Sequence, residues 1–491
     1  MKPAAPTQDA SITSRNLSAV FLLRIAQFPF LALFAILIPR MMGSETYGQF
    51  AFLISVIAIL TSFLSLGIGE ICGRFVPEAQ SGADPAAVGA LGSRLLAFKT
   101  AVSLPILALA FPALLWLYGN SFPATYLVLV LLIVLVADWG SVAYGLLFGL
   151  NKLVRVSLRE PLRRAVSLLL ILLLFPQFGL VGALFSTLLV ESILLALGLY
   201  WTKGHFTAGQ LRLDFDFLKP CLTFGFGLYL SWFLLNVWQR LGNVLINHVT
   251  NDSAAIAFFD LANQCFLVVI SITVTIVNSL VPMFSKLLLQ GKEDKILEWS
   301  ARLVRYMSIL SMLAFSTLLF AGSELIIFLF GEEFSQVFPN AAVLLLALFP
   351  SVFVQIGFVY AVLYKSPGKF LWALIVSLAA FVALSLVLIP SYSAMGCSAA
   401  TAVSYYLMAG LAIYPFRDKA GPLLREGGIT VGLGILALPL VLWKGEALWN
   451  VLLAVGFACA YMALLFVARV VSVKEVAEAV AALRGNKTAS P

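Results

Sequence analysis

The chain has 491 residues, of which 62% are hydrophobic and 11% charged, and its mean hydropathy is +1.02. Asp and Glu together number 23, too few to cover a soluble protein of this size, and the same composition excludes intrinsic disorder. The net charge of +8 raises nucleic acid as a partner, but the basic residues are distributed as at a membrane surface.

A membrane helix takes about 20 apolar residues, and the long unbroken runs lack the alternation of an outer-membrane barrel. In chain order the apolar segments fall at 17–39, 47–66, 95–118, 126–150, 162–178, 179–201, 221–249, 253–284, 303–330, 341–364, 370–389, 395–414, 427–443 and 448–468. The expectation is an all-α integral membrane protein with about fourteen spans, or about twelve because the fifth and thirteenth segments are short. It divides into an N-terminal tail (1–16), an N-lobe (17–201), a linker (202–220), a C-lobe (221–414), an extra helix pair (427–468) and a C-terminal tail (469–491). The first run is too long for a signal-peptide core and is expected to stay as a span.

The basic residues test this map. Connections after odd-numbered segments hold only Arg40 and Lys444. Those after even-numbered segments hold Lys152, Arg155, Arg159, Arg163 and Arg164, then Lys286, Lys292, Lys295, Arg302 and Arg305, and so on to Lys419 and Arg425. This is the positive-inside pattern, which predicts an even number of crossings and both termini cytoplasmic. Arg163 and Arg164, opening the fifth segment, are expected to snorkel to the interface. The outer connections are short, the longest about 331–340, which leaves no room for the catalytic groups of a membrane glycan polymerase or ligase.

The five cysteines are scattered singly, the two histidines have no ligand spacing around them, and no Gly-rich phosphate loop opens a helix. No metal or other cofactor is expected, and no nucleotide-driven pump.

The two halves carry a faint duplication. Arg94-Leu95 recurs as Arg302-Leu303, Val76-Pro77 as Val281-Pro282, and Tyr144 to Phe148 as Tyr360 to Tyr364. Pro176, Gly182 and Thr187 recur with identical spacing as Pro390, Gly396 and Thr401. Matches in one chain order predict two six-helix lobes of the same orientation, related by a pseudo-twofold along the membrane normal, with a cavity between them.

Ile38-Pro39-Arg40-Met41-Met42-Gly43-Ser44-Glu45-Thr46-Tyr47-Gly48 resembles the "R-x-L-G-x-x-x-Y-G" signature that follows the first span of Wzx-type polysaccharide flippases. Gly67-Ile68-Gly69 through Arg74-Phe75-Val76-Pro77-Glu78 is similar to that family's segment after its second span. Arg240 followed by Ala257-Phe258-Phe259-Asp260-Leu261-Ala262 resembles its "D-R-…-Y-x-x-A" region, with Gln239 where Asp is usual and Phe where Tyr is common. The resemblance covers about residues 15–415. It implies the polysaccharide transporter branch of the multidrug/oligosaccharidyl-lipid/polysaccharide (MOP) superfamily, whose members have a MATE-like core. It also implies location in the bacterial inner membrane and turnover of an undecaprenyl-pyrophosphate-linked glycan for O-antigen, capsule or exopolysaccharide synthesis. The implied partners are that glycan, membrane lipids, a proton or sodium ion, and a polysaccharide polymerase with its chain-length regulator.

Charges inside spans are costly and should face a partner or a wet cavity. Arg24 and Arg240 each lie about 10 Å from the nearer interface, at 1.5 Å per residue. Either they snorkel or they line a cavity, and Asn236 and Asn243 share a helical stripe with Arg240. Guanidinium forks suit pyrophosphate oxygens, which makes these residues candidates for guiding the substrate. Asp138 and Glu191, near mid-span, are candidates for ion coupling or for structural hydrogen bonding. Asp260 is a third coupling candidate, although its place near the outer surface favours simple solvation. Tyr144 and Tyr360 could stack on sugars or serve as interfacial anchors. Two further readings within the superfamily stay open: a lipid II flippase, because such proteins also carry an extra helix pair, and a MATE-type drug/cation antiporter. A glycan enzyme is disfavoured by the short outer connections.

Overall fold

The computed structural model describes residues 8–81, 87–206, 213–437, 445–468 and 470. The expected N-terminal tail, linker and C-terminal tail lie partly or almost wholly outside the described residues. Among those described, every regular element is helical, as a chain in lipid requires when each backbone N–H and C=O must be bonded within its own segment.

The helices are α1 (Gln8–Leu64), α2 (Ile68–Ser81), α3 (Ala87–Tyr118), α4 (Ala124–Gly149), α5 (Leu153–Trp201), α6 (Phe215–Thr250) and α7 (Ser253–Leu289). After them come α8 (Glu293–Phe330), α9 (Val337–Leu344), α10 (Leu348–Leu363), α11 (Pro367–Ile413), α12 (Arg417–Ala437) and α13 (Ala447–Val467). Nine helical runs among the described residues are long and apolar enough to cross a membrane. Several are far longer than the about 20 residues that one crossing needs. Helices α1, α5 and α11 have 57, 49 and 47 residues, and each contains a non-helical residue, respectively Gly43, Gly179 and Ser393.

The breaks in α5 and α11 are the same device. Gly179 has φ 56° and ψ −140°, and Ser393, 214 positions later, has φ 49° and ψ −131°. Three residues before each stands a proline, Pro176 or Pro390, which removes a helical N–H and crowds the preceding turn. Three residues after each stands a glycine. A Cβ on Gly182 would lie 2.4 Å from the Leu174 carbonyl oxygen, and one on Gly396 would lie 2.4 Å from that of Leu388. In a straight helix, residues eight apart are separated by about 12 Å along the axis. Contact across eight residues therefore means that the chain reverses, and each long helix is an antiparallel pair joined by a tight turn. The boundary expected between residues 178 and 179 falls on the first reversal.

The same offset recurs at the ends of α4 and α10. Asn151 and Lys365 both take positive φ (58° and 52°), and the flanking amides close on carbonyls in the same pattern, Leu150 N–H on Leu146 and Tyr364 N–H on Tyr360. These are left-handed helix ends. An offset of 214 pairs Tyr144 with Phe358 and Tyr360 with Leu146. The equivalence of Tyr144 and Tyr360 read from short apolar words is thus two residues out of register.

The chain forms two compact units, residues 1–257 and 258–491. In the first, Ile71, Cys72 and Val76 of α2 pack with Leu91 and Leu95 of α3, Val142 and Leu146 of α4, and Leu218 of α6. Helix α6 belongs here because it is tied to α1: the Tyr229 hydroxyl donates to the Phe63 carbonyl (2.7 Å) and Asn243 Nδ2 to Ser55 Oγ (2.8 Å). The unit boundary thus falls after α6, whereas the sequence places a lobe boundary within 202–220. Gly48, the last residue of the flippase-like signature, abuts the start of α7 so closely that a Cβ would overlap the Ser253 carbonyl.

In the second unit, α12 and α13 pack on α8. Phe457, Tyr461 and Leu465 meet Ile309, Met312 and Phe320. Polar ties fix the arrangement: Arg305 to Glu426 at 2.8 Å, Asn450 Nδ2 to Glu324 at 2.7 Å, and the Tyr461 hydroxyl to the Thr430 carbonyl at 3.1 Å.

Candidate functional site

Two charged centres lie inside the helices of the first unit. The first joins α3 and α4. Lys99 and Asp138 are both fully buried and form an ion pair, and Ser103, one turn beyond Lys99 on the same face, donates to Asp138 Oδ2 at 2.5 Å. The Lys99 ammonium also donates to the Leu64 carbonyl, at the last residue of α1. A helix end leaves its final carbonyls without intrahelical partners, and a cation there satisfies one of them and complements the dipole. Asp138, expected as a solitary mid-span acid, therefore has a fixed counterion. Lys99 was not singled out in the sequence, although two consecutive spans carrying one charge each of opposite sign mark such a pair.

The second centre is made by the reversal of α5. Folding the helix back at Gly179 brings Glu191 onto Arg163, with Arg163 Nε 3.1 Å from Oε1 and Nη2 3.4 Å from Oε2. Arg159 Nη2 stands 4.0 Å from the same carboxylate, and Glu160 is 3.5 Å from Arg163 Nη1. The Arg159 guanidinium lies over the Tyr144 ring, 4.6 Å from its centroid. Arg164 faces another way, 5.9 Å from the centre of the Phe34 ring of α1. Arg159 and Arg163 thus share the carboxylates of Glu160 and Glu191. Arg163 and Arg164, expected to snorkel, turn toward side chains of their own unit. The helix begins at Leu153 rather than at residue 162, so both arginines sit more than two turns inside it and turn toward Glu191 and Phe34.

The remaining candidates separate. Asn236 is exposed and donates to the Trp232 carbonyl of its own helix at 2.8 Å, whereas Asn243 is buried against Ser55. The two thus differ in setting despite sharing a stripe. Arg24 lies on α1, and its side chain is outside the described residues. Tyr144 is 4% exposed and donates to the Leu194 carbonyl at 3.2 Å. Tyr360, 1% exposed, packs among Tyr364 and Phe416 in the core of the second unit. In this arrangement both rings are interior groups. Asp260 is also buried and accepts a 2.7 Å hydrogen bond from Gln264, which corrects the expectation of simple solvation. Glu324, passed over in the sequence, is a further acid within a helix and is held by Asn450.

A family model described as "Polysaccharide biosynthesis protein" matches residues 13–288, more than half of the chain. No curated protein matches the chain. Among solved structures it is similar to an inward-facing multidrug resistance MATE family transporter of the MOP superfamily, at 14% identity and a TM-score of 0.68, over 81% of this chain and 96% of that one. It is also similar to the lipid II flippase MurJ in an inward closed conformation, at 15% identity and a TM-score of 0.67, over 93% of this chain and 99% of that one. At these identities the likeness is one of fold, and it agrees with the all-helical architecture expected from the sequence.

Proposed function

The chain belongs to the polysaccharide biosynthesis protein family, and from that premise we propose that it is a flippase for undecaprenyl-pyrophosphate-linked oligosaccharides. It would carry them across the bacterial inner membrane by alternating access and leave every covalent bond of the substrate intact. The observation that supports this most is the clustering of guanidinium groups inside the first unit, Arg159 and Arg163 on Glu191 with Arg164 one residue further on. Cations within spans are retained where they serve a pathway. Arginine forks pair with phosphate oxygens two at a time.

Glu191 gives the site a way to release its cargo. It occupies Arg163 when no substrate is present, and a pyrophosphate exchanges for it rather than meeting a bare cation. The guanidinium groups then guide the anion without trapping it, because the carboxylate competes for them. Glu191 and Asp138 are also the proposed coupling groups for a proton or sodium ion, Glu191 through its exchange with Arg163. In this reading the chain crosses the membrane fourteen times with both termini cytoplasmic, and the polymerase and chain-length regulator act on the product.

The experiment is transport of a defined undecaprenyl-pyrophosphate oligosaccharide in vesicles holding only this protein. Arg240→Ala and Arg164→Gln should each abolish transport at normal protein abundance, and Arg240→Lys should retain part of it. Full transport by Arg240→Ala and Arg164→Gln would overturn the reading. The lipid II reading draws on the MurJ-like fold over 93% of the chain, and is tested by supplying lipid II in the same vesicles. A drug/cation antiporter is disfavoured, because basic side chains inside the spans would repel its substrates.

A further inference from the structure

A cavity lies away from these charges, with every wall in the second unit. It has a volume of about 860 Å³ and runs between α8, α10, the end of α11, and α12. Its lining is apolar, with Met312, Phe315, Phe349, Phe353, Leu424 and Val431 among its walls. Its rim includes Tyr406, Tyr414 and Ile435, each more than half exposed, so the groove opens sideways onto whatever surrounds the helices. In a membrane protein that is hydrocarbon.

One charged side chain, Arg417, lines this groove. It stands at the first residue of α12, with its guanidinium 5.8 Å from the centre of the Tyr414 ring, and among the described residues no carboxylate pairs with it. The neighbouring Asp418 and Lys419 line a separate small pocket with Lys369. An apolar slot with a lone cation at its mouth has the polarity of one amphiphile: hydrocarbon inside, an anion at the end.

We propose that this groove binds the acyl chains of one anionic glycerophospholipid, with its phosphate on Arg417. Placing that lipid in the cytoplasmic leaflet rests on the orientation proposed above, since Arg417 belongs to the basic side of the chain. Volume suits this occupant. At roughly 30 Å³ per carbon, about the share of one water in the liquid, 860 Å³ holds on the order of 30 carbons. That matches two acyl chains, whereas a good part of an undecaprenyl chain would have to lie outside the groove.

The space is kept open by residues that lack side chains. A Cβ added to Gly410 or to Gly428 would meet nothing within 4 Å, although both line the groove. Leucine at either position would therefore start from an unobstructed Cβ and take up room in the slot, and it favours a helix over glycine. By contrast, a Cβ on Gly427 would press on the Phe353 ring at 3.0 Å, so that glycine serves packing.

The test is native mass spectrometry of the purified full-length protein in mild detergent. Phosphatidylglycerol, phosphatidylcholine of the same chains, and undecaprenyl phosphate are added in turn. The wild type should retain phosphatidylglycerol in preference to phosphatidylcholine, and Gly428→Leu should lose one bound lipid. Gly410→Leu gives an independent check should the first variant misfold. Arg417→Gln should keep the slot but lose the preference, binding phosphatidylglycerol about fivefold more weakly, the worth of one cation beside an anionic lipid. Equal retention by the wild type and both leucine variants would overturn the proposal. So would retention of undecaprenyl phosphate, rather than phosphatidylglycerol, that the leucine variants abolish, because the groove would then belong to the carrier. Lipid retention is read without transport, so its loss or survival is separate from the fate of the arginine cluster.

Discussion

Lys99 and Asp138 neutralise one another where α3 meets α4, and the same ammonium closes the end of α1 at Leu64. Three helices are thereby held at one point that water does not reach. Taking two charges out of water costs several kcal/mol each, and their attraction offsets this only when the geometry is good and the remaining lone pairs are used. Here Ser103 and the Leu64 carbonyl use them.

Removing one partner should therefore be worse than removing both. Lys99→Met or Asp138→Asn alone should destabilise the protein by about 3–5 kcal/mol, whereas Lys99→Met with Asp138→Leu should recover most of the loss. Thermal unfolding in detergent measures this, and single variants as stable as the wild type would remove the pair from any structural role. If Asp138 instead carries the coupling ion, Asp138→Asn should flatten the dependence of transport on pH or sodium.

The reversals make a second prediction. Gly182→Ala and Gly396→Ala each drive a methyl into a carbonyl oxygen and should cost about 1–3 kcal/mol, the usual penalty of overpacking. Ser393→Gly should act the other way, relieving about 1 kcal/mol or more of backbone strain at a positive φ. Unfolding midpoints of the three variants should move in opposite directions, and a fall for Ser393→Gly would show that its side chain matters more than its backbone.

A third prediction concerns the basic side of the second unit. Lys419 contacts both Glu293 and Tyr364, and hydrogen bonds donated to Glu293 by Lys419 first and by the Tyr364 hydroxyl second hold its carboxyl below the usual carboxylate range. A carboxylate lowered on folding contributes stability that is present above its unfolded value and lost as acid is added through its folded one. The tie between α8 and α12 should therefore weaken from about pH 4.3 downward. Glu293→Gln should be less stable than the wild type at neutral pH and converge with it in acid. Parallel curves would show that the contact contributes nothing.

Orientation can be read by reporter fusions. Fusions at Asn120, Asp252 and Glu332 should report the outer side, and fusions at Lys152, Lys292 and Lys419 the inner one. An inner reading at any of the first three would break the proposed map.

The helices were legible in the sequence because lipid leaves the backbone one economical answer and apolar length then sets the segments. The turn at Gly179 was legible too, since Pro176 and a glycine mark it. The charged centres were not. Lys99 reads as one polar residue in a long apolar run, and its pairing with Asp138 joins two different helices, α3 and α4. Arg163 lay too near a segment end to suggest an ion pair with Glu191, until the helix proved to begin nine residues earlier. Asp260 was misplaced for the same reason: depth along a helix can be counted, but which face a neighbour covers cannot.

The reversals at Gly179 and Ser393 spend only a few residues on turning round, and the link from α6 to α7 is as short, Thr250 to Ser253. At each of these three turns the chain offers almost no free backbone. A protease has no extended strand to cut at Gly179, at Ser393 or between Thr250 and Ser253, and an antibody has no loop to grip.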